Sequence, residues 1–158
     1  MKRLFLLIVA TLFVSVGYAQ SVKFSAPDID VKFKRCICSG NTAYIDLVMT
    51  NWSNKDISPM PILSDPCNNS RYTSAYDDEG NMYKFLTNLG LIIGGEVCSG
   101  GPFNLPREIP VKVRVFIKNL DDYARTITML KVAFYHTASV ERNGAALLEI
   151  RNIPITRQ

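Results

Sequence analysis

Apolar and polar residues alternate with a period of two along most of the chain, and no stretch of useful length follows the period of an amphipathic helix. The pattern predicts an all-β domain. From Ile29 the odd positions Ile29, Val31, Phe33 and Ile37 are apolar, whereas Asp30, Lys32, Lys34, Cys36 and Cys38 point the other way, as in a strand with one buried face. A turn at Ser39 to Thr42 leads to a second strand, Ala43 to about Asn51, with Ala43, Ile45, Leu47 and Met49 on its apolar side. Pro59 and Pro61 restrict Ile57 to Leu63 to an edge strand or an extended crossover. Thr73 to Asp77 and Asn81 to Phe85 flank Asp78-Glu79-Gly80 and form an expected hairpin, with Gly80 supplying the positive φ of the turn. Gly90 to Gly101 reads as an irregular, glycine-rich segment. The clearest strand follows, with Val111, Val113, Val115 and Ile117 alternating with Lys112, Arg114, Phe116 and Lys118. Ile127 to His136 is the expected partner of that strand, and Leu147 to about Ile153 is the last. Roughly seven or eight short strands in a chain of this size imply a two-sheet antiparallel sandwich.

The first residues do not belong to this pattern. Lys2 and Arg3 precede an apolar run from Leu4 to about Val16, and small residues stand at Gly17 and Ala19, the arrangement of an export signal cut before Gln20. That run of about 13 residues is short of the roughly 20 that span a bilayer as a helix. No later stretch approaches a transmembrane segment. The expected product is therefore one domain over residues 20–158, exported and either periplasmic or secreted, with no transmembrane segment once residues 1–19 are removed. Charged residues make up 20% and hydrophobic residues 47%, which suits a packed core and excludes a disordered chain. The formal net charge is +4, and loss of Lys2 and Arg3 leaves about +2, too weak a bias to imply nucleic acid or an anionic membrane.

A strand ending in TNWSN is followed by AYDDEGNMY, then by LP, VKVRVFIKN and a terminal IRNIPI. This progression resembles the immunoglobulin-like β-sandwich domains of small exported bacterial proteins of unknown function. The resemblance spans most of residues 20–158 but rests on strand ends and turns, so it implies a fold and no chemistry. The Cys-Trp-Cys arrangement of antibody domains is absent, because Trp52 follows both Cys36 and Cys38.

Four cysteines in a short exported chain predict disulfides. Cys36 and Cys38 are two apart on one strand face and are poor mates for each other, so each is expected to pair with Cys67 or Cys98. The alternative is a metal-binding or thiol-redox pair at Cys36 and Cys38, to which Met49, Met60, Met82 and His136 add possible ligands. His136 is the sole histidine, and no serine sits in a nucleophile motif. Asp77 to Asn81 lacks the alternating spacing of a calcium loop and reads as turn chemistry; Asp121 and Asp122 read as solvated turn residues. Lys112, Arg114 and Lys118, with Phe116 among them, read as the solvent face of a half-buried strand. Tyr72 and Tyr76 are the candidate binding aromatics of the central hairpin. Together these features predict a non-enzymatic domain without a cofactor that binds a protein or a cell-envelope component.

Overall fold

In a computed structural model, residues 20–62, 72–135 and 145–158 are described. Residues 1–19, Cys67 and His136 lie outside them, as do the expectations placed there. The described chain is all-β: β1 (Ser21–Phe24), β2 (Ile29–Ser39), β3 (Thr42–Asn51), β4 (Met60–Pro61), β5 (Ser74–Asp77), β6 (Met82–Lys84), β7 (Leu89–Ile93), β8 (Glu96–Cys98), β9 (Val111–Ile117), β10 (Thr126–Tyr135), β11 (Ala145–Pro154) and β12 (Thr156–Arg157). One sheet has the order β1-β11-β10-β5-β6, with β4 also pairing β10, and the other the order β12-β2-β3-β9-β7-β8. Pairing is antiparallel except between β12 and β2. No described helix is long and apolar enough to cross a membrane.

The two sheets face each other across one core, because alternate residues of each strand carry the apolar side chains. Ile45, Leu47, Val113, Val115, Ile117 and Leu91 come from one sheet, and Ala75, Ile127, Leu130, Val132, Leu148 and Ile150 from the other. The expected sandwich is therefore present, with twelve described strands in place of seven or eight.

Three details differ from the sequence reading, each for a physical reason. First, β9 pairs with β3 and β7, whereas β10 belongs to the opposite sheet. Apolar alternation marks a half-buried strand without naming its neighbour. Second, Leu89 to Cys98 is a hairpin, β7 and β8, where an irregular segment was expected. Gly90 conceals it: a Cβ there would lie 2.3 Å from Cζ of Phe116, because that ring packs over the glycine backbone.

Third, β2 carries a bulge. Phe33 is opposite Leu47, but Arg35 is opposite Asp46, so β2 holds one residue more than β3 at this point. The extra residue reverses the phase of the strand. Val31 and Phe33 face the core before the bulge, and Cys36 and Cys38 face it afterwards, leaving Arg35 and Ile37 to point outward.

Candidate functional site

The outward face of the β12-β2-β3-β9-β7-β8 sheet is organised in rows set by strand register. One row runs Ile37, Tyr44, Phe116, Gly90, and the next runs Arg35, Asp46, Arg114, Ile92. A third places Lys32, Val48 and Lys112 side by side. Successive rows are about 6.6 Å apart, two residue rises. The bulge inserts Lys34 beside Arg35, and both line the same open space as Lys112 and Arg114 on the far side of β3. Between them lies an open groove of about 480 Å³, lined by Lys34, Arg35, Asp46, Val48, Ile92, Gly95, Lys112 and Arg114.

Asp46 is the single carboxylate among these side chains. Arg114 donates to it through Nε at 2.6 Å and Nη2 at 3.1 Å, and Arg35 through Nε at 2.8 Å. The hydrogen bond from Arg114 holds the Asp46 carboxyl below its ordinary range despite burial, with Arg35 adding to the effect. Both arginines remain open to solvent, with 60% of the Arg35 side chain and 42% of the Arg114 side chain exposed. Among the described residues, Lys34 and Lys112 have no carboxylate partner, and the hydrogen bond from Arg35 to Asp46 runs through Nε. Four cations thus surround one carboxylate over an aliphatic floor, an arrangement that attracts anions. One row away the aromatic rings carry cations too: the Arg114 guanidinium lies 5.4 Å from the Tyr44 ring centre and the Lys118 ammonium 5.6 Å from that of Phe116.

The acidic hairpin turn is built differently. Asp77 accepts hydrogen bonds from the backbone N–H of Glu79 and Asn81, from Asn81 Nδ2, and from the Tyr83 hydroxyl at 2.6 Å. Burial pushes the Asp77 carboxyl up, but these donors outweigh it and its pKa is lowered. Burial, with the bond to Asp77 next, pushes Tyr83 up to about 12. Asp78 accepts from the backbone N–H of Arg125 and Thr126 and ties the turn to the start of β10. Every strong acceptor direction of Asp77 is taken by its own hairpin, as in a structural turn.

The cysteines are placed as follows. Cys36, Ile45, Val115, Leu91 and Cys98 form one cross-strand row on the core side of the sheet, with Cys36 near one edge and Cys98 at the other. Four strand spacings put them roughly 19 Å apart, far beyond the 7 Å reach of a disulfide. The expected pairing of Cys98 with Cys36 or Cys38 is therefore corrected, and among the described residues all three are free thiols. Burial, with Cys38 and Asp46 adding to it, pushes the Cys36 thiol up to about 12, so it stays protonated near neutrality. The Cys38 thiol donates to the Gly40 carbonyl at 3.2 Å and lies 3.6 Å from Arg157 Nη1. Among the described residues no three His, Cys, Asp or Glu gather as metal ligands.

Tyr76 projects from β5 on the outer face of the other sheet, half-buried, and a hydrogen bond with Tyr72 raises its pKa. Asp121 caps its own turn by accepting from Tyr123 N at 2.8 Å. Sequence reasoning placed Lys112 and Arg114 together on one face of a strand but read them as its solvent face, and it gave no site role to Lys34, Arg35 or Asp46. The signal was an apolar alternation that changes phase between Phe33 and Cys36.

No known family model matches the sequence, and no curated protein matches it. Among solved structures, the chain is similar to a family 123 glycoside hydrolase from Clostridium perfringens, studied for glycolipid glycan hydrolysis, with 9% identity and a TM-score of 0.41. The match covers 85% of this chain and 27% of the hydrolase, so the chain spans about a quarter of that protein's length. A likeness of this size extends to neither activity nor substrate.

Proposed function

We propose that the protein is an exported, non-enzymatic immunoglobulin-like domain that binds an acidic protein or cell-envelope component through the outer face of the β12-β2-β3-β9-β7-β8 sheet. The observation that carries this reading is the groove itself. Lys34, Arg35, Lys112 and Arg114 converge on about 480 Å³ of open space with Asp46 as the one counter-charge. Clustered cations of one sign repel one another, and a ligand anion relieves that repulsion. A thiol-redox or metal role for Cys36 and Cys38 has less support, because both are buried against the core and Cys36 holds its proton.

The test is binding of a panel of anions, namely polygalacturonate, polyglutamate and phosphatidylglycerol vesicles, at low and physiological ionic strength. The expected result is salt-sensitive binding to at least one of them that weakens about tenfold or more in the Lys34→Glu, Lys112→Glu double variant. The control is Lys23→Glu with Lys131→Glu on the opposite sheet, expected to stay within about twofold. Equal losses from both variants, or no binding to any anion, would overturn the assignment of this face.

A further inference from the structure

We infer that the groove's ligand is an extended acidic segment of a partner protein, carrying Asp or Glu at alternate positions and lying along the strands above β3. This rests on the reading of the same face as the binding surface and adds the ligand's chemical class. Lys112 and Arg114 are two residues apart on the outward side of β9, so their cations repeat at about 6.6 Å. Alternate side chains of an extended peptide repeat at the same distance. A peptide running along β3 would therefore set two successive carboxylates near Lys112 and Arg114.

Arg35 and Arg114 both reach Asp46 from the two neighbouring strands, so an extended ligand would lie over this ion-paired row. Asp46 occupies the inner donors of both guanidinium groups and leaves the outer edge of Arg35, with Lys34 and Lys112, for a ligand carboxylate. An acidic glycan fits less well. The rings on which a sugar would stack, Tyr44 and Phe116, already have Arg114 and Lys118 over them.

The experiment titrates the folded protein with three probes of equal charge: an alternating Glu-Thr peptide of about eight residues, its block isomer with all Glu before all Thr, and an oligogalacturonate. The expected result is binding of the alternating peptide about tenfold tighter than either other probe, falling about tenfold in Lys34→Ala, Lys112→Ala, whose exposed side chains form no ion pair among the described residues. Equal or tighter binding of the block isomer or the uronate, still weakened by that variant, would refute the extended-peptide ligand and leave the anion-binding face standing. Binding of all three unchanged by the variant, or of none, would refute both.

Discussion

Asp46 and Asp77 are two carboxylates held below their ordinary range, and the way each is held separates the part of the molecule that is closed from the part that is open. Asp77 is 3% exposed and takes its hydrogen bonds from its own hairpin: two backbone amides, Asn81 and the buried Tyr83 hydroxyl. Asp46 takes its bonds from two long, solvent-exposed guanidinium groups on neighbouring strands. Removing the first carboxylate strands the buried Tyr83 hydroxyl and takes the acceptor from the turn amides. Removing the second releases cations that water already reaches, so the energy at stake is small and the charge is available to a ligand.

The largest expected effect tests the closed site. Asp77→Ala should destabilise the protein by about 3 kcal/mol, since Tyr83 Oη and the turn amides lose their acceptor, and denaturant unfolding measures it. A change under about 1 kcal/mol would show that the turn does not depend on this carboxylate. Asp77 also predicts a pH dependence with a definite sign. Its folded-state pKa lies below the unfolded value of about 3.9, so its contribution is present above that pH and is lost as pH falls through the folded pKa. Asp77→Asn should remove that part of the acid limb from a stability profile. A profile with the same acid limb as wild type would place the lost stabilisation elsewhere.

Gly90→Ala should come next, at about 1–2 kcal/mol, because the new Cβ meets the Phe116 ring and the half-exposed ring must shift. Its unfolding midpoint is the readout, and an unchanged midpoint would mean that Phe116 moves aside freely. Asp46→Asn should change stability by less than about 1 kcal/mol, since its partners are exposed, yet tighten an acidic ligand about threefold by removing the competing carboxylate. Weaker binding would mean that Asp46 positions the arginines more than it competes with the ligand. The smallest perturbation is purely covalent. Non-reducing peptide mapping should find no Cys36–Cys98 or Cys38–Cys98 peptide, and finding one would contradict the strand order that builds the groove.

The sandwich was legible because period-two alternation survives through β3 and β9 and through β11 as far as Ile150. The hairpin around Asp78-Glu79-Gly80 was legible because its turn residues are local. Neighbour choice was not, since β3, β7 and β9 meet only after the chain has crossed between sheets. The groove was half visible for the same reason. Lys112 and Arg114 show their alternation within β9, but Arg35 joins them only through a bulge, and Asp46 lies on a face whose Tyr44 and Val48 disguise it as mixed. Overall charge concealed it further, because a bias of about +2 says nothing about where cations gather. Of the aromatics singled out for binding, Tyr76 lies on the other sheet and shares a hydrogen bond with Tyr72, two residues before β5.

That placement provides the most direct test, because the two candidate surfaces lie on opposite sides of the sandwich. Amide chemical shifts of the folded protein are followed while the alternating Glu-Thr peptide is added. The predicted result is that the shifts cluster at Lys34, Arg35, Asp46, Val48, Lys112 and Arg114 and shrink as salt is raised. Shifts centred on Tyr72 and Tyr76, or none on the grooved face, would contradict it.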